Sequence, residues 1–237
     1  MVYVQEILGR LRKLLNMKTC VIIPTYNEAG EIGNLVKQIR QQGLDVLVID
    51  DGSSDRTAPI AKDSGAVVLE NARNRGKGAC LKRGFDYALS KDYDAVITMD
   101  GDGQHRPEDI MYFMRLAKYS DSGIFVGNRM SKTRNMPLVR LATNKFMSWM
   151  ISGAAGQDIP DTQCGFRLIK KEVLKKIRLK TSKYETETEI LIEGSRAGVR
   201  IESVPIKTIY RQEKSRINPF LDTLRFFRLM TKELFSK

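Results

Sequence analysis

Hydrophobic residues along this chain recur in two alternating patterns, short continuous runs and helical stripes. Five runs rich in β-branched residues, each bounded by turn residues, predict strands. These runs span residues 19–24, 45–50, 66–70, 94–100 and 123–127. Between the first two, Ile32, Leu35, Val36 and Ile39 have the i, i+3, i+4, i+7 spacing of an amphipathic helix. Strands alternating with helices predict a mainly parallel α/β sheet with helices on both faces. Runs this continuously apolar also predict strands that are buried on both sides.

Beyond residue 128 the patterns become less regular. Residues 136–156 predict one or two helices, and residues 161–169 turn back into a strand. Residues 187–198 predict a helix that ends at Gly198, followed by a strand over residues 199–206. Apolar stripes near both ends predict an amphipathic helix in residues 1–17 and a basic amphipathic helix in residues 217–237. These helices flank one predicted domain, residues 18–216.

Acidic and glycine-rich motifs follow three of the predicted strands, at the strand ends where open α/β sheets bind ligands. PTYNE follows the first strand, DDGSSD the second and DGDGQH the fourth. In the last motif only Gly101 separates Asp100 from Asp102, so two like charges end a buried strand. A cation would remove that repulsion, and such carboxylates suit Mg²⁺ or Mn²⁺ on a diphosphate. The alternative is an Asp-Gly turn with solvated side chains.

The DDGSSD motif contains more carboxylates than local structure requires. Ser54 or Asp55 explains one helix cap, which leaves Asp50 and Asp51. The ribose hydroxyls or the base amino group of a nucleotide would suit those two side chains. Sequence reasoning therefore indicates a nucleoside site, with ordinary turn formation as the alternative.

Other residues near the strand ends have both a functional and a structural interpretation. In PTYNE, Tyr26 can stack on a base or sugar, and Glu28 can accept from a hydroxyl or favour the first helical turn. The NRGKGA stretch, residues 74–79, resembles a phosphate loop without its full spacing, and Lys77 lies near a helix start. Arg129 follows the fifth strand, where it can offset diphosphate charge. His105, the single histidine, is interpreted as a positioning residue, with a structural and a catalytic role both left open.

Charge and cysteine content narrow the classes of partner and compartment. The 237 residues carry 40 Lys and Arg against 28 Asp and Glu, a net charge of +12 that favours anionic partners. Because the strand-end motifs are acidic and the basic residues lie elsewhere, we expect no nucleic-acid ligand. The three dispersed cysteines indicate a reducing compartment and no zinc site. Without a visible signal peptide or membrane-spanning run, we expect a cytoplasmic protein.

Taken together and in this order, the motifs carry a family resemblance. The sequence resembles the family 2 glycosyltransferases of the GT-A fold, and is most similar to the branch with dolichol-phosphate mannosyltransferase and bacterial polyprenyl-phosphate glycosyltransferases. The resemblance covers about residues 18–216. It rests on VIIPTYNEAGEI, VLVIDDGSSDRT, NRGKGACLKRGFDYA, MDGDGQHRPEDI, VGNRM and DTQCGFRLIKKEVL. It implies a Rossmann-like GT-A sheet and a non-processive hexosyltransferase, because the QxxRW signature of processive synthases is missing.

The resemblance also implies a role for individual residues. Asp102, Asp161 and Arg129 would be catalytic, with Asp161 at the place of a proposed catalytic carboxylate. The acceptor phosphate would contact Arg140 and Asn144, and the divalent metal, Mg²⁺ or Mn²⁺, would bind Asp100, Asp102 and Gln104. The nucleotide-diphosphate sugar would bind a larger set: Pro24, Tyr26, Glu28, Asp51, Asp100, Asp102, Gln104, Arg129, Arg211 and Lys214.

The implied reaction is a single displacement at the anomeric carbon that inverts its configuration, with a polyprenyl phosphate lipid as acceptor. Such an acceptor is already anionic and needs no strong base, whereas a soluble glycan hydroxyl would need one, and Asp161 is then the candidate. A soluble glycan acceptor and a nucleotidyltransferase remain as alternatives, although PTYNE stands where the latter would need GxGxR. A lipid acceptor implies attachment to the inner face of the cell membrane, either peripherally or through a membrane-spanning partner protein. A homo-oligomer is a further expectation.

Overall fold

A seven-stranded sheet forms the centre of the structure. The structure is a computed structural model that describes residues 17–130 and 138–207, with Arg228 and Thr231. The strands are β1 Thr19–Thr25, β2 Asp45–Asp50, β3 Val67–Glu70, β4 Ala95–Thr98, β5 Ile124–Asn128, β6 Arg167–Lys170 and β7 Ile201–Pro205. Their order across the sheet is β3-β2-β1-β4-β6-β5-β7. Only β6 is antiparallel to its neighbours, β4 and β5. The predicted mainly parallel α/β sheet is therefore confirmed.

Helices connect the strands within the described residues. They are α1 Ile32–Arg40, α2 Thr57–Asp63, α3 Lys77–Ser90, α4 Ile110–Tyr119, α5 Leu138–Ala155, α6 Lys171–Lys176 and α7 Glu185–Arg196, with a short 3₁₀ turn, Pro107–Asp109, before α4. The chain moves outward from β1 to β3 and then returns to β4, beside β1. Right-handed crossovers therefore place α1 and α2 on one face of the sheet and α3 on the other. Helix α3 packs on β1, β2 and β4, and against α6 and α7.

The central strands are apolar because both of their faces are covered. Cys20–Ile23 of β1 and Val46–Ile49 of β2 are almost completely buried, as is β4. Strand β3 is different: Val67 is 47% exposed, so the prediction of burial on both sides is wrong for this strand. The physical reason is its position at the edge of the sheet, where it pairs only with β2.

Two local features differ from the sequence prediction. The strand expected from residue 161 begins only at Arg167, because residues 161–166 form a loop, and helix α6 follows β6 without having been predicted. Residues 136–156 contain a single helix, α5, which begins at Leu138. The two predicted terminal helices lie outside the described residues, apart from Met17, Arg228 and Thr231. Among the described residues, no helix combines the length and apolar character that crossing a bilayer requires.

Candidate functional site

The sheet brings the sequence motifs to one edge. Thr25 at the end of β1 is in register with Asp50 at the end of β2, and Ile22 of β1 is in register with Thr98 at the end of β4. Strand β5 runs in the same direction as β4, because each of them is antiparallel to β6. The residues that follow β1, β2, β4 and β5 therefore share the carboxyl edge, where open α/β sheets bind ligands.

The loops that follow β1 and β2 are joined by side-chain hydrogen bonds. The backbone N of Asn27 donates to Ser53 Oγ at 2.8 Å, and the Asn27 side-chain oxygen accepts from the backbone N of Ser54 at 2.8 Å. Asp55 accepts from the backbone N of Thr57 at 2.9 Å, at the first residue of α2. Pro24 lies within β1, while Tyr26 is 38% exposed and Glu28 is half-buried. Hydrogen bonds thus fix the conformation of these loops, and the Tyr26 ring remains exposed at the edge of the sheet.

Asp51 anchors the next loop along the edge. Its Oδ1 accepts from Asn71 Nδ2 and from the backbone N of Arg75, each at 2.8 Å, and its Oδ2 accepts from the backbone N of Gly76 at 2.7 Å. This buried carboxylate therefore holds the turn before α3. Gly76 has a φ of +100°, a conformation that glycine adopts without strain. The predicted nucleoside role of Asp51 stays a prediction, and these contacts add a structural role.

Lys77, the first residue of α3, forms an ion pair with each of two carboxylates. Its Nζ contacts Asp100 Oδ1 in the β4–α4 loop and lies 3.1 Å from Glu187 Oε1 in α7. Burial would raise the pKa of Asp100, but the Lys77 ammonium outweighs it and holds that pKa below its usual range. Burial would lower the pKa of Lys77, but Asp100 and Glu187 raise it. Lys77 and Asp100 are therefore both charged at neutral pH.

Gly165 closes this three-residue cluster. A Cβ at this position would lie 2.9 Å from Lys77 Nζ and from Glu187 Oε1, and 3.0 Å from Asp100 Oδ2. Sequence reasoning missed Glu187 and Gly165, and it left Lys77 without a partner. NRGKGA at a strand end was a signal for Lys77, whereas nothing in the helical pattern around Glu187 indicates its inward position.

His105 supports the backbone of Asp100 from the buried side. The backbone N of Asp100 donates to His105 Nδ1 at 3.3 Å, and His105 Nε2 lies 4.0 Å from Asp100 Oδ2. The His105 ring also packs against Phe166, with centroids 5.2 Å apart. Burial lowers the pKa of His105 to about 4, although Asp100 opposes this shift. At neutral pH the ring is therefore uncharged, and its Nδ1 acts as an acceptor.

The two carboxylates of the DGDGQH motif have different local partners. Asp100 is held by Lys77, whereas Asp102 Oδ1 accepts from the backbone N of Gln104 at 2.9 Å. Within residues 17–130 and 138–207 no group of three or more His, Cys, Asp or Glu side chains is arranged to hold a metal. Asp100, Asp102 and Gln104 nevertheless offer the oxygen atoms that Mg²⁺ or Mn²⁺ prefers. One of these oxygen atoms, Asp100 Oδ1, already binds a cationic group, the Lys77 ammonium.

Arg129 and Asp161 form the most buried ion pair of the described residues. Asp161 Oδ2 accepts from Arg129 Nε at 2.7 Å and from its backbone N at 3.0 Å, and Oδ1 accepts from Nη2 at 2.8 Å. Asp161 is completely buried and Arg129 is 7% exposed. Both carboxylate oxygens therefore hold and orient the guanidinium at the end of β5.

The remaining predicted residues fall on α5 or outside the described part. Asn144 is 7% exposed, and its Nδ2 has no hydrogen-bond partner among the described residues. Such an orphaned donor is costly unless a ligand or water satisfies it. Arg140 lies in α5 with its side chain undescribed, and Arg211 and Lys214 lie outside the described residues.

Arg167 fixes the loop that carries Asp161 and Gly165. Its buried guanidinium donates to the backbone O of Thr162 and of Cys164, both at 2.8 Å, and to that of Glu187. One side chain thus ties the loop before β6 to helix α7. The arginine was visible in DTQCGFRLI, but its partners are carbonyl groups that no residue type indicates.

The sequence of this chain is similar to those of known proteins. The model of "Glycosyl transferase family 2" matches residues 20–178. UDP-N-acetylglucosamine–dolichyl-phosphate N-acetylglucosaminyltransferase of Methanococcus voltae is 30% identical over 81% of this chain and 86% of its own. Polyprenol monophosphomannose synthase of Mycolicibacterium smegmatis is also 30% identical, over 82% of this chain and 78% of its own.

A solved structure has the same fold. Glucosyl-3-phosphoglycerate synthase from Mycobacterium tuberculosis, crystallised with Mn²⁺, UDP and glucosyl-3-phosphoglycerate, superposes with a TM-score of 0.70. The alignment covers 96% of this chain and 81% of that one, at 19% identity. At this identity the likeness concerns the fold.

Proposed function

We propose, from the premise that this chain belongs to glycosyltransferase family 2, that it transfers a sugar from a nucleotide-diphosphate sugar to a polyprenyl phosphate. An acceptor phosphate oxygen attacks the anomeric carbon, and the bond to the nucleoside diphosphate breaks with its electron pair. The anomeric configuration is inverted. The observation that carries the proposal is the convergence of Asp51, Asp100, Asp102 and Arg129 on one sheet edge.

The donor half of the proposal rests on the loops of β1, β2 and β4. Tyr26 offers an exposed ring for stacking, and Pro24, Glu28 and Asp51 border the same region. These groups would hold the nucleoside, and the carboxylates after β4 would face the diphosphate. Because hydrogen bonds join the loops, this surface is pre-organised, which lowers the entropic cost of binding.

The assignment of a metal rests on the chemistry of its candidate ligand atoms. Asp100, Asp102 and Gln104 would hold Mg²⁺ or Mn²⁺. A cation that also binds substrate phosphates and water needs only a few ligands from the protein. A divalent cation there would neutralise the charge that develops on the departing diphosphate. Two observations support this: Asp100 already binds a cationic group, and a fold relative was crystallised with Mn²⁺ and UDP.

The acceptor half favours an ionised phosphate over a hydroxyl. A hydroxyl acceptor needs a general base, but both oxygens of the completely buried Asp161 already bind Arg129. In this arrangement Asp161 is a positioning residue for Arg129, which would contact phosphate. The orphaned Nδ2 of Asn144 is a candidate contact to the acceptor, with Arg140 on the same helix. Two relatives named for dolichyl and polyprenol acceptors support the lipid.

Asp102→Asn tests the proposal most directly. We expect sugar transfer to polyprenyl phosphate to fall by at least about 100-fold, the scale on which removing an electrostatic stabiliser lowers kcat. Melting of the metal-free variant should match the parent, because the amide oxygen can still accept from the backbone N of Gln104. A thermal-shift panel of nucleotide sugars with and without Mn²⁺ identifies the donor, and transfer assays compare polyprenyl phosphate with a soluble glycan.

The matched control is Asp86→Asn, which removes an exposed carboxylate from α3, away from the strand-end motifs. It should keep parental transfer. Metal-independent donor binding that is unchanged in Asp102→Asn would contradict the metal assignment, and transfer to the soluble glycan alone would contradict the lipid acceptor.

A further inference from the structure

Lys77 binds a carboxylate, that of Asp100, which the proposed function assigns to a divalent cation. Its Nζ contacts Asp100 Oδ1 and lies 3.1 Å from Glu187 Oε1. The lysine side chain is only 16% exposed, so its charge is largely withdrawn from water. A buried ammonium is costly unless it is paired and hydrogen-bonded. Lys77 therefore needs at least one of these two carboxylates at all times.

Competition for Asp100 follows directly from this position. A lysine ammonium and a divalent cation repel each other, and they cannot share one carboxylate oxygen at close range. A metal that binds Asp100 Oδ1 must displace Lys77, and the displaced ammonium must find another partner. Glu187 is already within ion-pairing distance, and among the described residues Lys77 is its only ion-pair partner.

We propose that Lys77 is the resident counter-ion of Asp100, and that it passes to Glu187 when a divalent cation binds Asp100. The inference rests on the proposed function, because it takes Asp100 as a metal ligand. Gly165 fits the same role, since a Cβ there would press on Lys77 Nζ, Glu187 Oε1 and Asp100 Oδ2 together. The ammonium can change partners by rotating its side chain and keeps one ion pair throughout.

The arrangement makes metal affinity depend on the donor. Without a nucleotide, the metal has to compete with Lys77 and then remain close to its charge. A bound diphosphate adds negative charge beside both cations, so the metal binds more tightly when the donor is present. Lys77 thereby couples metal binding to donor binding, and each ligand raises the affinity for the other by the same factor.

Mn²⁺ titration of the full chain without nucleotide, followed by calorimetry and by the electron paramagnetic resonance of free Mn²⁺, tests the proposal. We expect Lys77→Met to bind Mn²⁺ at least about tenfold more tightly than the parent, within the usual range of coupling between sites. Lys82→Met is the matched control, because it removes the same charge from the same helix, and no hydrogen bond or ion pair of Lys82 is found among the described residues. Equal Mn²⁺ affinity in the parent and Lys77→Met would overturn the proposal.

A double-mutant cycle with Glu187 separates partner exchange from simple attraction by charge. With Lys77 present, Glu187→Gln should weaken Mn²⁺ binding about tenfold, because the displaced ammonium loses its second partner. In the Lys77→Met background the same substitution should have much less effect. An equal loss in both backgrounds would mean that Glu187 acts only through its charge, and would overturn the exchange.

Asp100→Asn distinguishes this inference from the proposed function. If Asp100→Asn leaves Mn²⁺ affinity unchanged, the metal assignment fails and the inference fails with it. If Asp100→Asn abolishes binding while Lys77→Met has no effect, only the inference fails. Should Lys77→Met not fold, Lys77→Gln replaces it in the titration and in the double-mutant cycle, with the same expected and contradicting outcomes.

Discussion

At the scale of single residues, burial and neighbouring charges determine the protonation state of His105. The ring is 4% exposed, and its Nδ1 accepts from the backbone N of Asp100. Protonation would place a second donor against that N–H and a charge in a dry environment. Burial is the main reason why the pKa of His105 falls to about 4, and the nearby charges of Arg129 and Lys77 lower it further, although Asp100 opposes the shift.

This lowered pKa predicts a pH-dependent stability with a definite sign. The unfolded chain binds a proton on His105 near pH 6.5 and the folded protein only near pH 4, so the stabilising contribution is present above pH 6.5 and is lost as the pH falls. The free energy of unfolding should drop by about 2 kcal/mol between pH 7 and pH 5 from this group. Urea denaturation of the metal-free protein at both pH values measures it.

His105→Gln isolates the histidine from carboxylates that titrate in the same range. Glutamine keeps an acceptor for the Asp100 N–H but does not titrate, so the variant should lose about 2 kcal/mol less over this interval than the parent. Identical pH dependence in the two proteins would contradict the lowered pKa.

At the scale of elements, sequence reasoning predicted what depends on local pattern. It found β1 and β2 almost to the residue, because a strand covered on both faces is a continuous apolar run. It also predicted that the acidic motifs share an edge, since parallel strands end together. It missed α6, a helix of only six residues, which is too short to show a periodic stripe.

The contacts that complete the site could not be predicted in the same way. Lys77 and Glu187 are more than a hundred positions apart, and their pairing depends on how α3 packs against α7. Arg129 and Asp161 were both candidates, but only the fold shows that each satisfies the other. Arg167 binds carbonyl groups, which every residue possesses. Long-range packing determines these contacts, and the hydrophobic periodicity of the sequence does not predict such packing.

Gly165→Ala tests the packing of the loop before β6 against α3 and α7. The added methyl would lie 2.9 Å from Lys77 Nζ and Glu187 Oε1, so it must push apart charged groups that attract each other. We expect a loss of about 1 to 3 kcal/mol in the free energy of unfolding, the usual effect of overpacking. Urea denaturation with an unchanged m-value measures the loss.

Gly153→Ala is the matched control for this substitution. Among the described residues, no atom outside the helix's own backbone lies within 4 Å of a Cβ at Gly153, which is an exposed position of α5. Alanine should therefore stabilise the protein by about 0.5 to 1 kcal/mol through its helix propensity. Parental stability in Gly165→Ala would show that the three charged groups have room to separate.

At the scale of the whole molecule, one chain of contacts crosses the functional edge. The β1 and β2 loops are joined through Asn27 and Ser53, Asp51 joins the β2 end to the turn before α3, and Lys77 continues to Asp100 and Glu187. Loops from separate strands thus behave as one connected surface. The large positive charge lies elsewhere, for example on exposed Lys175, Lys176 and Arg178 at the end of α6 and just after it.

The net charge of +12 and the basic, apolar pattern of residues 217–237 lead to a prediction about membranes. Each Lys or Arg near an anionic surface contributes about 1 kcal/mol, so several of them give reversible attachment. We expect the full chain to co-sediment with vesicles that contain anionic lipid, and chain truncation after Pro219 to reduce this. Zwitterionic vesicles and added salt should also reduce it, because screening weakens attraction to the surface.

The competing structural interpretation is that residues 217–237 pack on the domain or on a partner protein. In that case the truncated chain would lose stability and keep its vesicle binding, whereas a membrane-binding segment should be removable with little change in the melting temperature. Melting and sedimentation of the same two proteins therefore separate the alternatives. Equal sedimentation of full-length and truncated protein, or none with either, would contradict a membrane role for this segment. Reduced sedimentation at an unchanged melting temperature would place the membrane attachment in these residues, which fits a lipid phosphate as the proposed acceptor.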